Sequence, residues 1–173
     1  MDRYESVLIV GCGDTGTRVA KLWQSEGSQV TGVVRTEDSA RDLRSQDIDV
    51  IRYDLDHPVD ERSLPTQNVL LYYFTPPNRN GIRDERLRSF LENIAPEESP
   101  RRIVYISTSG VYGDCSGDWV TEASPVNPQT DRSKRRVDAE QVMTSWGKEH
   151  EVDTMILRVP GIYGPGRLPV GRI

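Results

Sequence analysis

Two stretches of this 173-residue chain carry residue types whose order could do chemistry. The first is Gly11-Cys12-Gly13-Asp14-Thr15-Gly16, a Gly-x-Gly-x-x-Gly run placed directly after Val7-Leu8-Ile9-Val10. Each glycine has its own physical reason. Gly11 lets the chain turn sharply, Gly13 lets the backbone approach a pyrophosphate, and Gly16 lets a following helix pack against the strand. The amides that open that helix, with Asp14 and Thr15 among its first residues, form an anion site together with the helix dipole. Glycines also cluster in plain strand-to-helix turns. Here an apolar strand precedes the run and the helical spacing of Val19, Ala20, Leu22 and Trp23 follows it, which selects the dinucleotide reading. The cofactor is then chosen about 20 residues further on, where an acidic residue would bind the ribose 2′-hydroxyl of NAD and a basic one favours the 2′-phosphate of NADP. Arg35-Thr36 stands there, so NADP is expected, with NAD as the alternative that the nearby Asp38 leaves open. Asp54-Leu55 follows the third strand. The Asp54 carboxylate either reaches the adenine amino group or simply ends the strand. Thr75, at the end of the fourth strand, completes the expected cofactor set.

The second stretch is Val104-Tyr105-Ile106-Ser107-Thr108-Ser109-Gly110-Val111-Tyr112-Gly113. Hydroxyl residues at the carboxyl end of a central strand face the crevice where open α/β sheets bind ligands. A hydroxyl there can hydrogen-bond a substrate carbonyl or alcohol. Further on, Arg132-Ser133-Lys134-Arg135-Arg136 puts a basic cluster near a helix N-terminus, against the helix dipole. Such a run usually forms a solvated face. A bound anion is the other explanation, and the two stand level for Arg132 and Arg136, whereas Lys134 and Arg135 are expected to be solvated. Cys12 and Cys115 match no metal-ligand spacing, so no metal site is expected.

These residues need a scaffold of alternating strands and helices to bring them together. Strands are expected over residues 7–10, 29–35, 49–53, 68–74, 101–107 and 153–159. Helices are expected over 14–26, 38–45, 84–94 and 132–148, with a proline-containing loop around Pro58 and Pro65 and a long Gly/Ser/Asp/Pro-rich loop before the last helix. Regular βα alternation implies a parallel sheet covered by helices on both faces, and right-handed crossovers favour the order 3-2-1-4-5-6. The fold class is therefore a Rossmann-type, doubly wound α/β sheet, with residues 1–173 forming one domain.

Composition limits the rest. The formal charge of −5 argues against a general nucleic-acid binder. No apolar run approaches the ~20 residues that span a bilayer, and residues 1–6 are too polar to open a signal peptide. Two separated cysteines fit a reducing cytoplasm. The expected ligands are small molecules, without nucleic acid or membrane.

At the second stretch a family resemblance enters. Ser107-Thr108-Ser109-Gly110-Val111-Tyr112-Gly113 resembles the strand-five signature of the extended short-chain dehydrogenase/reductases, the NAD-dependent epimerase/dehydratase family. Arg158-Val159-Pro160-Gly161-Ile162-Tyr163-Gly164-Pro165-Gly166 resembles that family's segment after strand six, and Glu122 with Pro125 to Gln129 its connecting loop. The resemblance implies that Thr108 is the hydroxyl that assists catalysis. It also exposes a gap. The family's Tyr-x-x-x-Lys pair, in which tyrosinate transfers the proton and lysine holds the nicotinamide ribose, aligns here with Arg132 and Arg136. An arginine keeps the charge and the ribose contact but cannot titrate near neutral pH. Together with Val10 at the usual first glycine, this resembles the atypical branch of the superfamily. Family members also continue past Tyr-Gly-Pro-Gly into a substrate-covering lobe. The resemblance therefore implies that a C-terminal lobe is missing here, by truncation rather than by nature, and that its absence leaves apolar surface on which a homodimer could form.

Three functional expectations follow. The first is an atypical NADP-dependent reductase or epimerase acting on a hydroxyl or carbonyl of a small or nucleotide-linked substrate, with Thr108, Arg132 and Arg136 at its catalytic end. The second is a dinucleotide-binding sensor or partner module without turnover. The third, a fragment that binds nothing tightly, is disfavoured by Gly11, Gly13, Gly16 and Arg35.

Overall fold

Val7, Leu8, Ile9 and Val10 are all buried, and they split between two cores: Leu8 and Val10 join one, Val7 and Ile9 the other. An uninterrupted apolar strand requires that double burial, and a parallel sheet sandwiched by helices supplies it. The computed structural model describes residues 4–57 and 64–164. Its elements in chain order are β1 (Ser6–Val10), α1 (Asp14–Ser25), β2 (Gln29–Val34), α2 (Glu37–Arg44), β3 (Asp49–Arg52), β4 (Leu70–Tyr73), α3 (Glu85–Glu92), β5 (Arg102–Thr108), α4 (Asp131–Glu149) and β6 (Asp153–Val159). Two short 3-10 segments, Pro96–Glu98 and Ser109–Tyr112, precede and follow β5. Every described strand pair is parallel, and the order is β3-β2-β1-β4-β5-β6, as the alternation of elements implies.

Helices α3 and α4 cover one face, where Leu87, Phe90, Leu91, Ala139, Met143 and Trp146 pack on Leu71, Tyr73, Ile103 and Tyr105. Ala20, Ala40 and Leu43 of α1 and α2 cover the other, against Val30, Val34, Leu70 and Val104. Cys12 is a small buried member of this second core, and burial pushes its thiol up to about 11, so it fills space rather than reacting.

Element ends differ from the sequence expectation where local chemistry intervenes. β4 begins at Leu70 rather than at residue 68, because Asn68 adopts a φ of 56° and donates its amide to Ser99 O. β5 extends to Thr108 because its ladder with β6 continues to the pair Thr108↔Val159. α4 starts at Asp131, one residue early, because Thr130 and Ser133 cap each other's backbone amides. Pro58, Pro165, Gly166 and the tail 167–173 lie outside the described residues. Among the described residues no helix is long and apolar enough to cross a membrane, and no His/Cys/Asp/Glu group could hold a metal ion.

Candidate functional site

The glycine turn builds the first part of the site. Gly11 and Cys12 both donate their amides to Val33 O at 3.0 Å, which folds the chain over the end of β2. This geometry puts Gly11 at a φ of +84°, and a Cβ there would meet Thr75 Oγ1 at 2.6 Å and Thr75 N at 2.7 Å. Gly16 meets a different neighbour: its Cβ would lie 3.1 Å from Ile9 Cγ2, so its absence lets α1 seat on β1. Gly13, the N-cap of α1, has nothing within 4 Å of an added Cβ. The space above its backbone is open.

That space belongs to a cleft of about 470 Å³ at the carboxyl ends of β1 to β4. Gly11, Gly13, Arg35, Thr36, Asp54, Leu55 and Thr75, all expected from the sequence, line it together. Arg35 is exposed and makes no hydrogen bond or ion pair among the described residues. Thr36 also caps α2, its Oγ1 accepting from Ser39 N. Asp54 accepts the Asp56 amide through Oδ1 at 3.0 Å. Four expected cofactor residues do not line the cleft: Arg136, described below with β5, and three of the glycine turn. Gly16 is buried beneath it, Thr15 is half-buried, and Asp14 faces a separate surface hollow beside Thr17 and Lys21, bonded to Arg18 at 3.3 Å.

The cleft also contains residues that sequence reasoning missed. Arg86 of α3 reaches across to Asp56 with a two-toothed fork, Nε to Oδ1 at 2.8 Å and Nη2 to Oδ2 at 2.5 Å, while its Nη1 donates to Pro76 O at 2.7 Å. The Arg86 guanidinium holds the Asp56 carboxyl below its ordinary range, with smaller help from Asn78 and Arg35. No local pattern announces a contact between residues 30 apart in the chain.

The second part of the site lies at the end of β5. Thr108 accepts the Gly110 amide through Oγ1 at 3.2 Å, which leaves its own O–H proton free to donate. Beside it, Ser107 Oγ donates to Glu140, a buried α4 carboxylate that also accepts a fork from Arg158 of β6. Arg158 continues to Tyr112 OH at 2.9 Å. This network ties β5, β6, α4 and the turn after Thr108 into one rigid end, and Glu140 with Tyr112 holds the Arg158 proton more firmly than usual. Arg136 turns inward from α4. Its Nη1 donates to Ile106 O and to Tyr105 OH, both at 2.9 Å, so it sits two residues from Thr108 along the strand. Burial pushes the Tyr105 hydroxyl up to about 12 despite Arg136.

The rest of the basic cluster separates differently from expectation. Lys134 is exposed as expected. Arg135 is not solvated: it is 9% exposed and its Nη1 donates to Gly81 O, because its helical face turns toward the loop before α3. Arg132 is exposed and bonds nothing among the described residues. Below Arg136, Asp84 caps α3 by accepting from Leu87 N at 3.1 Å, while its Oδ2 is buried without a partner and burial raises its carboxyl above the ordinary range.

Comparison with known proteins agrees with this geometry. Residues 87–172 match the model of the NAD dependent epimerase/dehydratase family, and residues 7–62 match the TrkA-N domain. Protein YeeZ of Escherichia coli (strain K12) is 31% identical over 173 residues, which covers 95% of this chain and 61% of that protein. A functionally unknown conserved protein from Silicibacter pomeroyi superposes with a TM-score of 0.76 at 28% identity, covering 98% of this chain and 57% of that one. UDP-glucuronic acid 4-epimerase from Bacillus cereus, solved in complex with NAD, shares the fold with a TM-score of 0.77 at 19% identity, over 95% of this chain and 60% of its own. The chain thus spans about three fifths of the length of these relatives. The β5 signature lies in the segment, residues 87–172, that matches the NAD dependent epimerase/dehydratase family, and the glycine turn lies in the segment, residues 7–62, that matches the TrkA-N domain.

Proposed function

We propose that this chain binds NADP(H) and serves as the cofactor half of an atypical reductase or epimerase that acts on a hydroxyl or carbonyl of a small or nucleotide-linked substrate. The observation that carries the reading is the convergence of Gly13, Arg35, Asp54 and Thr75 on one cleft. The fit to a dinucleotide rests on this chain's own features. Above Gly13 there is room for a pyrophosphate that any side chain would fill, and the N-terminus of α1 lies beside it. Arg35 offers an unengaged guanidinium where a 2′-phosphate would lie, and Asp54 offers a carboxylate oxygen to the adenine amino group.

When bound, the nicotinamide supplies or takes up a hydride. The chain's part at that end is orientation and fixed charge. Thr108 can donate its proton to a substrate oxygen, and the donors of Arg136 beyond Nη1 can hold a ribose hydroxyl. A second reading, a dinucleotide-binding module without turnover, is favoured by one feature: the hydroxyls of Tyr105 on β5 and of Tyr112 in the turn after it are each engaged by an arginine.

A titration following nicotinamide fluorescence tests the cofactor reading. NADPH should bind more tightly than NADH, by about tenfold or more for one charge-assisted contact. Arg35→Asp should reverse the order. Equal affinities in the wild-type protein would refute the assignment of Arg35.

A further inference from the structure

We infer that Arg86 is a specificity-determining residue for the adenosine end of the cleft: by engaging both oxygens of Asp56, it keeps that carboxylate from pairing with Arg35 or repelling a phosphate held there. The inference rests on the reading of Arg35 as the 2′-phosphate contact and goes beyond it by assigning the residue that keeps Arg35 available.

Asp56 and Arg35 line the same cleft, and the Arg35 charge is felt at the Asp56 carboxyl. Without Arg86 the Asp56 carboxylate would stand as an unpaired negative charge in the cleft that Arg35 lines, and opposite charges attract there. Arg86 pre-empts that attraction. Its fork to Asp56 is anchored at a third point by Pro76 O, and its side chain is only 13% exposed, so the guanidinium is held where it stands. Arg35 has no comparable anchor. Asp54 has Oδ1 on the Asp56 amide and, on the proposed function, its other oxygen on the adenine amino group. Among the described residues the cleft thus presents a carboxylate paired to Arg86 and an arginine, Arg35, that bonds nothing. That balance suits a phosphate and disfavours a ribose that needs a free acidic acceptor.

The test measures Kd for NADPH and for NADH with the whole protein by fluorescence titration, in the wild type, Arg86→Gln, Asp56→Asn and the double variant. Arg86→Gln frees Asp56. It should weaken NADPH by about fivefold to tenfold, as one added like charge near a phosphate does under surface screening, while NADH is unchanged or tightened. Adding Asp56→Asn should restore the wild-type ratio of the two constants. A merely structural role for Arg86 predicts otherwise: both cofactors weaken together, and the second substitution rescues nothing. Either an unchanged ratio in Arg86→Gln or a failed rescue overturns the inference. If Arg86→Gln does not fold by circular dichroism, Asp56→Asn alone decides, since it should hold or raise the preference for NADPH and a lowered preference refutes the idea. Arg35→Ser separates the two levels. If it leaves the ratio unchanged, the reading of Arg35 has failed; if it removes the preference while Arg86→Gln does not, only the role of Arg86 has failed.

Discussion

Gly11 and Gly13 stand two residues apart in one turn, yet the structure predicts opposite consequences for the same substitution. In Gly11→Ala the new Cβ meets Thr75 N at 2.7 Å and Thr75 Oγ1 at 2.6 Å, and the residue must hold a φ of +84°. The left-handed conformation costs an L-residue roughly 1–2 kcal/mol. Relief of the overlap means shifting the end of β4, a backbone movement of the kind that costs about 1–3 kcal/mol. The sum, about 2–5 kcal/mol, is a large share of the ~5–15 kcal/mol that holds a domain folded. In Gly13→Ala the Cβ meets nothing within 4 Å, and the backbone stays on the extended side at a φ of −88°. Its expected stability change is within about 1 kcal/mol, the size of a weakened helix N-cap.

Binding should reverse that ranking in what it isolates. The Gly13 methyl group enters the space proposed for the pyrophosphate, so NADPH affinity should fall at least about tenfold in a protein that is still folded. Thermal unfolding, which moves about 2–4 °C per kcal/mol at this size, gives the stability of each variant, and fluorescence titration gives its affinity. If Gly13→Ala unfolds as readily as Gly11→Ala, the open space is not open. If it folds well and binds NADPH like the wild type, the pyrophosphate does not lie there.

Two further outcomes follow from groups deeper in the site. The Asp84 carboxyl is raised by burial, so the native state binds its proton more tightly than the unfolded chain does. Its favourable contribution is complete below the unfolded value of about 4 and declines as pH rises through the folded value. Asp84→Asn keeps an acceptor for Leu87 N and removes the charge, so it should raise the urea midpoint at pH 8 and lose that advantage near pH 4; an advantage that grows toward acid would show the sign to be wrong. Thr108→Val removes one neutral hydrogen bond of about 0.5–1.5 kcal/mol. In an active protein it should slow turnover about threefold to tenfold with NADPH affinity unchanged, while Thr108→Ser, which keeps the hydroxyl, should retain activity; equal losses in both would assign the effect to packing.

The sheet, and the cleft proposed for the cofactor, were legible because the signals that specify them are local. Four apolar residues in a row at Val7–Val10 require burial on both faces, and the spacing of Gly11, Gly13 and Gly16 sets a turn whose three contacts differ as the three positions imply. Arg35, Asp54 and Thr75 share one cleft because parallel strands deliver their carboxyl ends to one edge, whatever the rest of the chain does. What escaped notice depends on helix rotation and long-range pairing. Arg135 reads as one more charge in a solvated run, and only the packing of α4 shows that its face is the inner one. Arg86 looks like an ordinary helical arginine until α3 is laid beside the loop after β3. Glu140 looks like an ordinary helical carboxylate in the sequence, but its bonds to Ser107 and Arg158 require three elements to be in place at once.

The family resemblance puts Arg136 where a lysine is expected, and the two side chains offer different chemistry. A lysine there would offer a point charge able to lose its proton, whereas a guanidinium offers a fixed fork that cannot titrate near neutral pH. The structure uses that fork: Nη1 is shared between Ile106 O and Tyr105 OH, which pins the side chain to the strand that carries Thr108. Tyr105 does not supply a group that titrates near neutral pH either. Its ring is fully buried, its hydroxyl accepts from Arg136, and its proton is held up to about 12. On the proposed function, Arg136 and Tyr105 would act together as a positioning pair that brings a permanent positive charge to the end of β5, where a substrate oxygen gaining negative charge would be stabilised without a proton being moved.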